Sequence, residues 1–239
     1  MSNYQIIKDE EELKKFIDWL PDLQDGQKFY WSLFARKKFN KTEGLKADRA
    51  QLKRGLCNKK DLINKFRKLE VALGLYDCDG IEINQESLAM YITPNPRDMH
   101  KAGLKTIGEL TKFIIEDRLI FNPEATALNM VQVTGIKKYF DFDVDFKPGK
   151  GCSYETLLNW IKGKINPEAV VGNVVKTRGG FHILIELNKI SEEFSKSWYN
   201  NFMQAESEYF ELTNNSKNND GGLIPVPGCV QSDFIPRLI

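Results

Sequence analysis

The sequence predicts an α+β fold in which helices pack on one face of a largely antiparallel sheet. Residues 136–239 read in order as strand, helix, hairpin, helix and strand, and hairpin-connected strands pair antiparallel. The 239 residues, 41% hydrophobic and 28% charged, are typical of a globular chain with a full core. We expect an N-terminal α/β module over 1–130 and a sheet-based unit over 131–239, packed together as one compact domain.

The first half predicts three helices and two strands. Asp9 has the position of an N-cap, with Glu12 three residues later as its capping-box partner, and Pro21 ends this helix. A strand is expected over 27–34. A helix capped by Asn58 should end near Gly74, followed by a strand over 87–93 and a helix over 98–117.

The second half begins with an acidic strand and continues with a helix over 154–165. Strands over 170–177 and 181–187 flank Arg178-Gly179-Gly180, which predicts a hairpin. A long helix capped by Ser191 should reach Leu212. A polar loop over 213–220 and a last strand over 223–230 complete the predicted elements.

The acidic strand carries the strongest functional signal. In residues 139–146 the Asp side chains alternate with bulky apolar ones, so Asp141, Asp143 and Asp145 share one face. Asp is a poor strand former and neighbouring carboxylates repel one another, whereas Mg²⁺, Mn²⁺ or Ca²⁺ would offset that repulsion. The alternative is a solvated face of an edge strand, where charge deters aggregation.

The predicted hairpin is the second candidate site. Its glycines allow close approach of the backbone to a ligand and present N–H groups to an anion. A hydroxyl, two cations and a histidine surround them, which favours phosphate binding; a structural histidine is the alternative. The candidate residues are Lys176, Thr177, Arg178, Gly179, Gly180 and His182.

A third candidate is Asp220, which precedes a Gly- and Pro-rich stretch over 221–228. A loop aspartate that starts a turn is the alternative interpretation of this position. Asp233, near the chain end, competes with Asp220 for the same role.

Positive charge is concentrated in one segment although the net charge is only +1. Residues 36–68 contain thirteen Lys or Arg and three acidic residues. Such a segment is typical of a partner with a phosphate backbone, or of a solvated helix surface. Charge alone makes Arg36, Lys37, Lys38 and, after a Pro-Asn-Pro turn, Arg97 candidates for contacting a nucleic-acid backbone or a nucleotide.

Several classes of protein are disfavoured. The four cysteines are far apart and form no CxxC pair, so we expect no zinc site and reduced thiols in a cytoplasm. No run approaches the roughly 20 apolar residues of a membrane span. The first residues lack the features of a secretion signal.

Three of these motifs in this order resemble the archaeo-eukaryotic primase superfamily, the primase-polymerases of archaea, eukaryotes, plasmids and phages. Tyr139-Phe140-Asp141-Phe142-Asp143 resembles the acidic strand motif of that family, and the segment from Thr177 to His182 resembles its hairpin motif. Asp220 with Val226-Pro227-Gly228-Cys229 resembles the third, although Pro225 and Cys229 stand where relatives often carry Arg and Thr. The matched region runs over about 136–230.

The resemblance implies an RRM-like catalytic unit beside a variable N-terminal module, and template-directed nucleotidyl transfer by two metal ions. Asp141, Asp143 and Asp220 would bind Mg²⁺ or Mn²⁺, with Asp145 as an additional carboxylate. The hairpin would hold the triphosphate of a dNTP or NTP. Single-stranded DNA or a primer–template would be the nucleic-acid partner. A helicase or another replication or CRISPR protein would be a protein partner. The protein would act in a cytoplasm, which would be the host's if the protein is phage-encoded.

Two other functions fit the same residues. A metal-dependent nuclease or phosphodiesterase would use the same carboxylates and would not depend on Arg178. A non-catalytic nucleic-acid-binding replication module would bind DNA through residues 36–68 without needing the aspartates.

Overall fold

The fold is described from a computed structural model, which describes residues 2–39, 45, 48–118, 121–214 and 222–239. Asp220, Gly221 and part of the basic segment lie outside the described residues. The chain is α+β, as expected, with two five-stranded antiparallel sheets and a small hairpin. In the described ranges, no helix is both long and apolar enough to cross a membrane.

Helices lie between and around the strands along the chain. The α-helices are α1 (Glu10–Trp19), α2 (Leu62–Arg67), α3 (Met99–Ile115), α4 (Pro123–Gln132), α5 (Tyr154–Ile161) and α6 (Trp198–Met203). The strands of the first half are β1 (Gln27–Arg36), β2 (Arg49–Cys57), β3 (Asp77–Cys78), β4 (Ile81–Glu82), β5 (Leu88–Ile92) and β6 (Arg97–Asp98). Those of the second half are β7 (Tyr139–Phe146), β8 (Val174–Lys176), β9 (Gly180–Glu186), β10 (Phe210–Asn214), β11 (Ile224–Pro225) and β12 (Arg237–Leu238).

The first sheet has the strand order β11-β5-β1-β2, and β6 also pairs with β1. Strand β1 alternates between two environments, because successive side chains of a strand point to opposite faces of the sheet. Phe29, Trp31, Leu33 and Ala35 enter the first core together with α1 and α2. Tyr30 and Phe34 lie on the opposite face, which α3 and α4 cover only at one end.

The second sheet has the order β10-β7-β9-β8-β12. The apolar side chains of β7 predicted to face a core do so, since Phe142 and Val144 are fully buried. They pack with Phe181 and Ile183 of β9 and with residues of α5 and α6. The other face of β7 therefore carries the aspartates and is directed toward the first half of the chain.

The two sheets meet where β7 begins. Tyr139 and Leu184, on the aspartate face, belong to the first core, and the ring of Tyr139 stacks on Trp19 of α1 with centroids 5.0 Å apart. Asn95 is fully buried; its Oδ1 accepts from the backbone N–H groups of Lys138 and Tyr139 (2.9 and 2.8 Å). Its Nδ2 donates to the carbonyl of Tyr139 at 2.9 Å, so one side chain pairs with the entry of β7 as a strand would.

The last residues join both sheets. Strand β11 pairs with β5 of the first sheet, and β12 pairs with β8 of the second. Between them, Gln231 bridges to Ala89. Residues 222–239 thus hold the two sheets in one arrangement, although the sequence assigned them to the second unit.

The expected long helix from Ser191 to Leu212 is wrong. Only α6 is helical there, and Phe210–Asn214 forms β10, which pairs with β7 from Phe146 to Phe142. Pairing with the exposed edge of β7 satisfies its backbone groups, which local helix propensity cannot do. Phe210 is buried against Trp160.

Two further predictions need correction. The helix from Asn58 to Gly74 is short, because α2 ends at Arg67, and much of the basic segment is the edge strand β2. Asp9 caps α1 as expected, since its side chain accepts from the Glu12 N–H. Glu12 does not complete a capping box; its Oε1 accepts from the backbone of Leu238 in β12.

Asn95→Ala should destabilise the protein by about 3 kcal/mol, because it removes hydrogen bonds from buried backbone groups of β7. Urea unfolding followed by circular dichroism measures this. Asn122→Ala is the matched control: Asn122 caps the exposed start of α4 through Ala125, so its loss should cost about 1 kcal/mol. Equal losses in the two variants would show that Asn95 does not anchor β7.

Candidate functional site

A cleft of about 620 Å³ lies between the two sheets. One wall is the face of the first sheet opposite the first core, and the other is the aspartate face of β7 with the β8–β9 hairpin. Its described cationic side chains come from both walls: Arg36, Lys38, Arg49, Arg97 and Arg178. Its described carboxylates are Asp143 and Asp145, so positive charge is in excess.

The pairing of β7 with β9 places His182 among the aspartates. Asp143 lies opposite His182, and Asp145 lies opposite Gly180. His182 Nδ1 is 2.9 Å from Asp141 Oδ1, and its Nε2 is 3.7 Å from Asp143 Oδ1. Asp141 and His182 are 41 residues apart in the sequence. The hairpin histidine and the aspartates of the acidic strand therefore form one cluster.

Exposure rises along the aspartate row. The side chain of Asp141 is 1% exposed and that of Asp143 is 30% exposed, while Asp145 is exposed. The exposure of the aspartates increases along β7 because the start of the strand is buried under the first core and its end opens into the cleft.

The predicted ligand pair Asp141 and Asp143 is therefore not what the structure brings to the cleft. Asp141 is not among the described residues lining it; its Oδ1 is hydrogen-bonded to His182. Asp143 and Asp145 are the carboxylates that a metal ion could reach. Asp145, expected only as an additional carboxylate, lines the cleft beside Asp143.

The charges of this cluster are coupled. Burial by itself lowers the pKa of His182, but the carboxylates of Asp141 and Asp143 outweigh it and raise the pKa to about 9. Burial and the adjacent charge of Asp143 raise the pKa of Asp145, and Lys38 partly offsets this from the opposite wall. The imidazole is thus a cation at neutral pH, between carboxylates that repel one another.

Asp143 and Asp145 fit a hard divalent cation in donor chemistry. Both offer carboxylate oxygens, and their mutual repulsion is what a bound Mg²⁺ or Mn²⁺ would relieve. Among the described residues, no group of three or more His, Cys, Asp or Glu has a metal-holding arrangement. The predicted third ligand, Asp220, lies outside the described residues, so the ligand set named from the sequence cannot be assembled from them.

The hairpin residues divide between the cleft and its supports. Thr177, Arg178, Gly179 and His182 line the cleft. Lys176 is exposed and lies on the face of β8 that carries Val174 of the second core, so it does not face the cleft.

The two glycines have different roles. A Cβ on Gly180 would lie 1.7 Å from the Val144 carbonyl oxygen, whereas a Cβ on Gly179 would meet only Asp145 Oδ1, at 3.8 Å. Gly180 is therefore needed for the close packing of β9 on β7. This packing accounts for a glycine at position 180 without any role in letting a ligand approach the backbone. Binding of phosphate by the amides of these glycines stays a prediction.

Of the residues predicted from charge alone, three line the cleft. Arg36, Lys38 and Arg97 do so, while Lys37 is exposed and is not among its lining residues. Arg36 is largely buried; it donates to the Tyr91 hydroxyl at 2.7 Å and pairs with Asp48 at 3.2 Å. Arg97 is buried and its Nη1 donates to the Gln132 carbonyl at 2.9 Å, so the protein itself holds both Arg36 and Arg97 in place.

Sequence reasoning missed an aromatic–arginine surface on the first wall. The Arg49 guanidinium carbon lies 4.9 Å from the Phe34 ring centroid and 5.2 Å from that of Tyr91. Arg36 and Arg178 both contact the ring of Phe39, at 5.4 and 5.2 Å. These residues belong to four separate parts of the chain; only the basic segment gave a signal for Arg49, and no motif pointed to Tyr91.

The matched pair Gly180→Ala and Gly179→Ala should separate these roles. Gly180→Ala should displace β9 from β7 and lower the midpoint of urea unfolding, because its Cβ overlaps the Val144 carbonyl. Gly179→Ala should unfold at the wild-type midpoint, since there is room for its Cβ. Equal midpoints for Gly180→Ala and wild type would refute the packing role.

His182 should titrate near pH 9 in metal-free protein, which NMR of the ring resonances measures. His100→Gln leaves His182 as the one histidine signal, and adding Asp141→Asn should lower the midpoint. Because the folded pKa is raised from 6.5 to about 9, the stabilisation from this proton is complete below pH 6.5. It is lost as the pH rises through about 9. A midpoint below 7 would contradict the coupling to the aspartates.

Comparisons with known proteins add no family to this description. No family model matches the chain, and no curated protein or solved structure matches it either. What the protein does must therefore be inferred from the residues that meet in the cleft.

Proposed function

We propose that the protein is a nucleotidyltransferase of the primase-polymerase type, which extends a primer or an initiating nucleotide on a single-stranded template. The observation that carries this proposal is the cleft in which Asp143, Asp145 and His182 meet five cationic side chains. The motif order in the sequence supports the same activity and the archaeo-eukaryotic primase fold.

The charges of the cleft suit a polyphosphate bound with a divalent cation. Five arginines and lysines face two carboxylates, which favours a polyanion. The two carboxylates on the β7 wall of this cleft would repel a phosphate unless a cation lay between the carboxylates and the phosphate. Asp143 and Asp145 would hold Mg²⁺ or Mn²⁺, which would supply Lewis-acid stabilisation of the negative charge on the phosphate oxygens.

The chain's own groups would bind and orient the nucleotide. Arg178 and the protonated Nε2 of His182 would donate to phosphate oxygens, and Asp141 would keep His182 in the required ring orientation and charge state. Arg36 and Arg97, which are buried and already hydrogen-bonded, would add fixed positive charge. Preorganised donors of this kind stabilise charge without reorganising during the reaction.

The first wall suits a base or a nucleic-acid strand. Phe39 and Tyr91 give the cleft aromatic side chains next to arginines, and such surfaces bind single-stranded nucleic acid by stacking and charge. Strand β2, which carries Arg49, continues beyond the cleft as the edge of the sheet. A template strand would follow this edge.

Primer extension tests the proposal. A labelled primer on a DNA template, with Mn²⁺ or Mg²⁺ and either dNTPs or NTPs, should be lengthened. Asp143→Asn and Asp145→Asn should each lower the rate at least about 100-fold, because each removes a carboxylate that would hold the metal ion. Asp22→Asn is the matched control and should retain activity, since Asp22 is exposed and pairs with Lys59 away from the cleft.

Mn²⁺ binding followed by electron paramagnetic resonance distinguishes the ligand sets. Asp145→Asn should lose Mn²⁺ affinity, whereas Asp141→Asn should retain it and lose activity by about tenfold through His182. No extension with any nucleotide and metal would refute the proposal. Shortening of the labelled DNA in the absence of nucleotide would favour a nuclease instead.

A further inference from the structure

Arg178, at the tip of the β8–β9 hairpin, is held through its backbone by a residue of the C-terminal segment. The Arg178 N–H donates to Oε1 of Gln231 at 2.9 Å. Gln231 is 5% exposed and itself lines the cleft. The hydrogen bond to the buried Gln231 amide fixes the position of the hairpin tip, because breaking it would leave polar groups unpaired.

The guanidinium of Arg178 is held by the residues that follow Gln231. Its Nε lies 3.2 Å from Asp233 Oδ1, and its Nη1 donates to Ser232 Oγ at 3.4 Å. On the opposite side the guanidinium carbon lies 5.2 Å from the ring centroid of Phe39. Backbone and side chain of one arginine are thus held by the same turn, over residues 231–234.

This turn is anchored on the first sheet. Gln231 and Phe234 exchange both of their backbone hydrogen bonds at 3.1 Å, and the Ser232 N–H donates to the Leu88 carbonyl at 2.8 Å. Ser232 has φ +64°, a left-handed conformation that costs free energy for a residue with a Cβ. The turn therefore links the position of Arg178 to the wall that faces it.

The contact with Asp233 is of a kind that a phosphate can replace. The Asp233 side chain is 72% exposed, and exposed ion pairs contribute little free energy. A phosphate oxygen accepts from a guanidinium in the same geometry and carries more charge. Asp233 thus competes with an incoming phosphate for Arg178, while Gln231 does not.

We propose that Gln231 and Asp233 are positioning residues for Arg178 with opposite effects on polyphosphate affinity. Gln231 holds the hairpin tip at the cleft, and Asp233 is the counter-ion of the guanidinium until a phosphate displaces it. The proposal rests on the proposed function, because it takes the cleft as the site of a nucleoside triphosphate.

Calorimetric titration with inorganic tripolyphosphate in Mg²⁺ buffer tests it without requiring polymerisation. Gln231→Leu should weaken binding by about tenfold, the loss of one hydrogen bond in a preorganised site. Asp233→Asn should strengthen binding by about two- to fivefold, the range of one exposed ion pair. Asp22→Asn, the same substitution in an ion pair of the same length away from the cleft, should leave the affinity unchanged.

The Arg178→Ala background shows whether both effects act through Arg178. There, Gln231→Leu and Asp233→Asn should no longer change the affinity, as a double-mutant cycle requires of coupled residues. In primer extension, Gln231→Leu should raise KM for the nucleotide more than it lowers kcat. If Gln231→Leu fails to fold, Asp233→Asn still decides, because its side chain is exposed.

The outcomes separate this inference from the proposed function. The positioning role is overturned, and the proposed function stands, if the wild type binds tripolyphosphate and both variants bind it with the same affinity. The same conclusion follows if both variants still change the affinity in the Arg178→Ala background. If the wild type binds neither tripolyphosphate nor a dNTP, the proposed function fails together with this inference.

Discussion

The antiparallel pairing of β7 with β9 is the constraint on which the site depends. It sets His182 opposite Asp143 and within hydrogen-bonding distance of Asp141. Three like charges on one strand face are unfavourable by themselves, and a buried imidazole is a poor cation by itself. Each compensates the other, so the acidic strand and the hairpin form a single electrostatic unit.

The opposite wall completes this balance. Arg36, at the end of β1, and Lys38, just after it, offset part of the rise in the pKa of Asp145. Arg36 is itself oriented by Tyr91 and Asp48. The cleft is therefore a surface shared between two sheets, and its charge balance depends on how the two sheets are placed relative to each other.

Two small features of the chain keep the sheets together. Asn95 substitutes for a strand at the start of β7, and residues 222–239 add a strand to each sheet. Residues 222–239 also reach the cleft, because Gln231 is one of its lining residues. A cleft lined by charged side chains between two sheets needs such connections, because solvated charges alone give little rigidity.

The sequence by itself determined the α+β class, the alternation that buries Phe142 and Val144, and the hairpin around Arg178, since these follow from local periodicity and turn residues. It also singled out Asp143 and His182 as candidate site residues, because Asp is a poor strand former and His182 follows the Arg-Gly-Gly turn. Tertiary structure alone decided which aspartates open to the cleft, because exposure along β7 depends on where the first core covers it. It likewise decided that residues near Phe210 form a strand and that Gln231 reaches Arg178, because unpaired strand edges and long-range contacts leave no trace in local sequence.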